Sequence, residues 1–262
     1  MISFTSAQLN AWLVAFIFPL TRILALIASS PVLGNKQIPI RVKVGLAMLI
    51  TVIVAPTITV PTDVEPASAQ GLFILVMQIL VGLAMGFTMR LIFTAVEMAG
   101  DLAGMQMGLG FASFYDPVNA AYSPVIAQFL GILITLAFLG FDGHLYMLAA
   151  LVQSFHDFPI SATLPAAGAF RTVAEWGSTI FTHSLQLAMP LIGALMITNL
   201  ALGILTRSAP QLNIFAVGFP ITLTVGFAAL ALSLPYLAPM LNHVMQEALD
   251  TMQRVTLQMA RH

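Results

Sequence analysis

The placement of charge constrains this chain more than any other feature of it. Lys, Arg, Asp and Glu are absent from residues 1–21, 44–62, 66–89, 117–141, 176–206 and 208–246. A bilayer core about 30 Å thick is crossed by roughly 20 consecutive apolar residues in a helix, so these stretches predict about six spans. They take up more than half of the 262 residues, which leaves short connections and little room for a soluble domain. Overall 7% of the residues are charged and 59% hydrophobic, against about a quarter charged in a soluble domain. An ordinary cytosolic enzyme, a disordered chain and a nucleic-acid binder with a basic face are all excluded. The expected fold class is an all-α integral membrane protein of about six long, broken hydrophobic helices. With no Cys in the chain, disulfides, thiolate nucleophiles and Cys-based metal sites are excluded too.

The N-terminal stretch lacks the positive n-region of a secretory signal and is expected to lead straight into a first span, Leu9 to Leu33, interrupted by Pro19 and Arg22. A second span follows from Arg41 to Ala55. Lys36, Arg41 and Lys43 gather in the loop between them and mark the cytoplasmic side, which puts both termini outside. A third segment from Gly71 to Met107 is over-long and turns from apolar to polar midway. Pro124 to Phe155 is expected to break at Gly140–His144, and Arg171 to Arg207 at Pro190. A last helix, Ile214 to Leu241, leads into an amphipathic tail.

In the third segment Arg90, Thr94, Glu97 and Asp101 fall at i, i+4, i+7 and i+11, one helical face. Ionisable groups turned to lipid cost several kcal/mol, about 3 or more each, so this row faces protein or water. Arg22 is the ionisable group of another span that could join it. Two readings are open: a proton or ion relay, and a polar seam that fixes packing in a larger bundle. Gly82 and Gly86 are spaced for close helix contact. Gly100, Gly104, Gly108 and Gly110 are read instead as a helix run out into a mobile loop. That loop carries Met105, Met107, Phe111, Phe114 and Tyr115 before Asp116-Pro117. Soft Met and aromatic side chains could seal a pore; a re-entrant packing loop is the plainer alternative. No hydrolase elbow, phosphate loop or zinc-type His spacing occurs, and no cofactor is expected.

The whole pattern resembles the flagellar biosynthetic protein FliR family and its injectisome counterpart. The resemblance rests on Pro19 to Arg22; Glu97 to Gly100 leading to Gln106, Gly108, Phe111, Ala112 and Asp116-Pro117; Asp142-Gly143-His144; Ser154-Phe155 with Pro159; and Pro190, Asn199, Gly203, Arg207, Pro210-Gln211 and Asn213 ahead of Gly218-Phe219-Pro220. It implies a subunit of the type III export gate in the bacterial inner membrane at the flagellar basal body. FliP, FliQ and FlhB are its implied partners, and unfolded export substrates and membrane lipid its surroundings. It implies a FliP-like portion over residues 1–184 and a FliQ-like hairpin and tail over 185–262, with Arg207, Pro210, Gln211 and Asn213 at the hairpin tip. It also implies that residues 104–122 plug the channel, through Gly104, Met105, Met107, Gly108, Gly110, Phe111, Phe114, Tyr115, Asp116 and Pro117. Arg22, Arg90, Glu97 and Asp101 become the seam between subunits. An injectisome subunit, a six-span secondary transporter and a passive scaffold are the competing expectations.

Overall fold

A computed structural model describes residues 5–61, 64–111, 124–211 and 214–260, and among these there is no strand. Helix α1 (Ser6–Ser29) opens on a capping box: the Gln8 amide donates to Thr5 Oγ1 and the Thr5 amide to Gln8 Oε1, which satisfies two otherwise orphaned donors. Helix α2 is Ile40–Val54, α3 Ala69–Gln106, α4 Val125–Gly140, α5 Gly143–Asp157, α6 Ala167–Ser208 and α7 Ile214–Met259. Five of the described helices are long and apolar enough to cross a membrane, and six spans result if the bent pair α4–α5 is one of them. The fold is that of an all-α integral membrane protein, as the charge pattern predicts.

The pair α4–α5 bends by 64° at the expected break. Asp142 turns the chain there with φ of 57°, a left-handed conformation that Asp tolerates better than most residues. Its carbonyl then accepts from the amides of Leu145 and Tyr146 to start α5. The other expected interruptions are absent. Helix α1 continues through Pro19 and α6 through Pro190, and α7, where no break is expected, runs through Pro220, Pro235 and Pro239 as far as Met259. A proline removes one intrahelical hydrogen bond, and packing against neighbours offsets that loss. In the tail, Leu241, Met245, Ala248, Met252, Val255 and Met259 are all buried at three- and four-residue spacing, so the apolar face carries the helix on.

The chain forms two compact units that interleave along the sequence. One comprises Met1–Leu91, Asp142–Gly177 and Met245–His262, the other Ile92–Phe141 and Ser178–Val244. In the first unit α3 lies tight on α1. A Cβ on Gly82 would meet the Arg22 carbonyl oxygen and come within 2.7 Å of Ala25 Cβ, and one on Gly86 within 2.8 Å of the Leu26 carbonyl oxygen. These two glycines are contact points between backbones, as their spacing predicts. Trp176 Nε1 donates to the Thr88 carbonyl at 3.0 Å, and Thr172 Oγ1 to Gln258 Oε1 at 2.5 Å, so the start of α6 holds both α3 and the tail of α7. In the second unit Phe93 meets Phe138 edge-on at 5.6 Å between ring centroids, an arrangement that aromatic quadrupoles favour.

Gly100 behaves differently from the sequence expectation. It stays inside α3, and a Cβ on it would strike Ala127 Cα and come within 2.6 Å of the Ala127 nitrogen. It is a third close-packing glycine, set where α4 crosses α3. Loosening of the helix begins only past Gln106.

Candidate functional site

Helix α3 carries a single exposed stripe along most of its length. Leu72, Val76, Ile79, Leu83 and Phe87 make its apolar part; Arg90, Thr94 and Glu97 follow, exposed, then half-buried Asp101, and Met105 at 54% exposure ends it. At 100° per residue all ten positions fall within a sector of about 80°. The stripe is about 50 Å long at 1.5 Å per residue. Between these positions the helix is packed: Met77, Val81, Met85, Met89, Ile92, Ala95, Val96, Ala99 and Ala103 are buried. The row from Arg90 to Asp101 is therefore the polar section of a continuous surface, turned away from the chain's own core. Glu97 also has a seat within the chain, because a Cβ on Gly131 of α4 would come within 3.4 Å of Glu97 Oε1. The small residue leaves a notch for the carboxylate.

Arg22 does not share this surface. Its side chain is fully buried in the first unit. Nε donates to Gln78 Oε1 at 2.8 Å, Nη1 to the Ser154 carbonyl at 2.8 Å and to Ser154 Oγ at 3.1 Å, and Nη2 to the Phe158 carbonyl at 2.9 Å. The guanidinium carbon lies 4.3 Å from the centre of the Phe155 ring, within cation–π range. Two of the acceptors are carbonyls at the C-terminal end of α5, where the helix dipole is negative and favours a cation. Arg22 is thus a pin joining α1, α3 and α5, and it has no surface left to offer a neighbouring subunit. The placement corrects its assignment to the seam.

The glycine-rich segment starts from a fixed point. Met107 is completely buried, and its carbonyl accepts at 3.1 Å from Thr222 Oγ1 of α7, whose one proton is shared with the Phe219 carbonyl at 3.0 Å. Its side chain lies over Gly226, where a Cβ would come within 2.8 Å of Met107 Cε and 2.9 Å of Sδ. Gly108 then takes φ of 85°, the left-handed conformation that glycine supplies past a helix end, and its amide donates to the Met105 carbonyl at 3.1 Å. Gly104 is still helical, and Gly110 stands in open space in a short 3₁₀ turn, Leu109–Phe111. Of the residues expected to seal a pore, Met107 is thus an anchor and Met105 is accessible. Phe114, Tyr115, Asp116 and Pro117 lie outside the described residues.

Where α6 gives way to α7, Arg207, Pro210 and Gln211 are exposed, and Asn213 is outside the described residues. Below that tip α6 shows Met189, Met196, Ile197, Leu200 and Ile204, and α7 shows Leu232 and Tyr236, all strongly exposed. So large an apolar surface needs lipid or another protein to cover it. Sequence reasoning missed Thr222 and Gly226, whose role depends on a contact across 115 residues that no local pattern announces.

Residues 13–248 match the profile of the bacterial export proteins, family 1. The flagellar biosynthetic protein FliR of Pectobacterium carotovorum subsp. carotovorum is 46% identical over 261 residues, covering 99% of both chains. FliR of Escherichia coli strain K12 is 46% identical over 247 residues, 94% of each. FliR of Bacillus subtilis strain 168 is 29% identical over 244 residues, 92% of this chain and 94% of that one.

Proposed function

As a member of the bacterial export protein family 1, and of its FliR group, the chain is a membrane subunit of the flagellar protein-export apparatus, and we propose that it forms and plugs the export channel there. In this reading the inner membrane holds it, FliP, FliQ and FlhB surround it, and unfolded polypeptides pass beside it. The observation that carries the reading is the end of α3. A buried, bonded Met107 is followed at once by a left-handed Gly108 and an unobstructed Gly110. A firm post with a glycine swivel is what a movable stopper requires. A wide pore also leaks ions unless something soft fills it when no substrate is present, and Met and aromatic side chains repack without strict shape demands. Deleting residues 110–115 should raise ion leakage through the assembled gate. Unchanged conductance in a normally assembled complex would sink the stopper.

The polar section of the α3 stripe fits a seat for a neighbouring subunit. Exposed to lipid, such groups cost several kcal/mol, roughly 3 for each charge, and a protein surface over the row removes that cost while leaving the partners these residues already have within the chain. Glu97→Ala should reduce the yield of FliP copurifying with the tagged chain by about 5- to 30-fold, the effect of about 1–2 kcal/mol. Normal assembly with failed proton-driven export would favour the relay instead.

A further inference from the structure

Helix α2 divides sharply into two faces. Ala47, Thr51 and Val54 are buried, while Arg41, Gly45, Met48 and Val52 are exposed at i, i+4, i+7 and i+11. One side packs within the chain, where α2 neighbours α1, and the opposite side presents an apolar row headed by a guanidinium, with exposed Val42 beside it. Leu49 and Ile53 widen that row, each more than half exposed. Gly45 lies near its head, and a Cβ there would meet nothing within 4 Å, so the face is open just below Arg41, where the missing side chain leaves a shallow dip.

The basic residues around it are not equivalent. Lys43 projects from another side of α2 and its Nζ donates to the Gly34 carbonyl at 2.9 Å, tying the loop to the helix. Lys36 and Arg41 are exposed. From Arg41 to Val52 the helix rises about 16 Å, which is close to half of a hydrocarbon core about 30 Å thick. The row is therefore as long as one leaflet is deep, with its positive charge at one end only.

From this geometry we infer that α2 holds one anionic phospholipid, its phosphate at Lys36 and Arg41 and an acyl chain lying along Gly45, Met48 and Val52. The inference does not depend on the stopper, because it concerns a different helix face.

The test uses the purified full-length chain with the subunits that copurify, reconstituted in nanodiscs of phosphatidylcholine alone or with phosphatidylglycerol. Lipid retained after transfer to detergent is counted by native mass spectrometry. Phosphatidylglycerol should be retained over phosphatidylcholine. A basic residue near an anionic surface contributes a factor of about five, so Lys36→Gln with Arg41→Gln should lower retention by about 25-fold. Gly45→Phe keeps both charges but fills the dip, and should lower retention as well. Arg171→Gln with Arg254→Gln removes the same charge elsewhere and should change nothing. Inorganic phosphate should fail to displace the lipid. Equal retention of the two lipids, no effect of the first two variants, displacement by phosphate, or a photo-crosslinker at position 45 reaching a protein subunit instead of lipid would each overturn the assignment.

Discussion

Replacing Arg22 by Ala should unfold the first unit's core and all but abolish incorporation of the chain into a stable complex. The substitution strands a set of buried acceptors together: Gln78 Oε1 and the Phe158 carbonyl lose their Arg22 donors, the Ser154 carbonyl keeps only the Phe158 amide, and the Phe155 ring loses its cation. Leaving a buried group unsatisfied costs about 1–3 kcal/mol, and breaking a buried charged cluster about 3–5 kcal/mol, a large share of a typical total of about 5–15 kcal/mol. Arg22→Lys should rescue little, because an ammonium cannot reproduce a planar fork aimed at acceptors on two helices. Gln78→Leu should cost less, about 1.5–3 kcal/mol for one bond to a charged group. Combined with Arg22→Ala it should add less than its own cost, since both changes break the same bond. The measurement is the thermal midpoint of the purified complex, with the amount of full-length chain in membranes as a second reading. A midpoint for Arg22→Ala within about a degree of the parent would refute the pin.

This pin shows how far the sequence carries. The cost of an ionisable group in an apolar span makes Arg22 conspicuous, but not its partners, which lie 56, 132 and 136 residues away. Two marks of the family resemblance, Pro19 to Arg22 and Ser154-Phe155, turn out to be one cluster in space. The helices themselves were legible, because span length and apolar content follow directly from bilayer thickness. Their ends were less so: α7 outruns its apolar stretch because the tail's buried face is set by tertiary packing. The glycines show the same limit. Gly82, Gly86 and Gly100 share one kind of contact, yet only the first two looked like packing glycines, since Gly100 stands beside glycines that really do leave the helix. What distinguishes it is Ala127 lying against it, a neighbour the local sequence cannot reveal. The exposed stripe of α3 was legible only in its charged section; its apolar section needed burial to separate it from the other apolar positions around the helix.

Gly226→Leu should open the resting gate without dismantling it. Met107 Cγ, Sδ and Cε all lie within 3 Å of where a Cβ would stand, so a leucine must push the thioether out of its seat. Overpacking of this kind costs about 1–3 kcal/mol. That cost falls on the docked state of the α3 end, so the equilibrium between docked and released segments shifts by about 5- to 150-fold. Thr222→Val should have a smaller effect of the same sign, because it removes one bond to the Met107 carbonyl worth about 1 kcal/mol. If the segment beyond Gly108 is the stopper, loosening its post raises leakage while assembly with FliP and FliQ continues, since neither α7 residue lies on the α3 stripe. Gly226→Ala is the milder test, with one methyl in place of an isobutyl group, and should give an intermediate leak. The reading is proton or dye flux in cells carrying the assembled gate, with copurification as the control. A Gly226→Leu gate that assembles normally and stays as tight as the parent would mean that Met107 is a packing residue of α7 and that closure is set elsewhere.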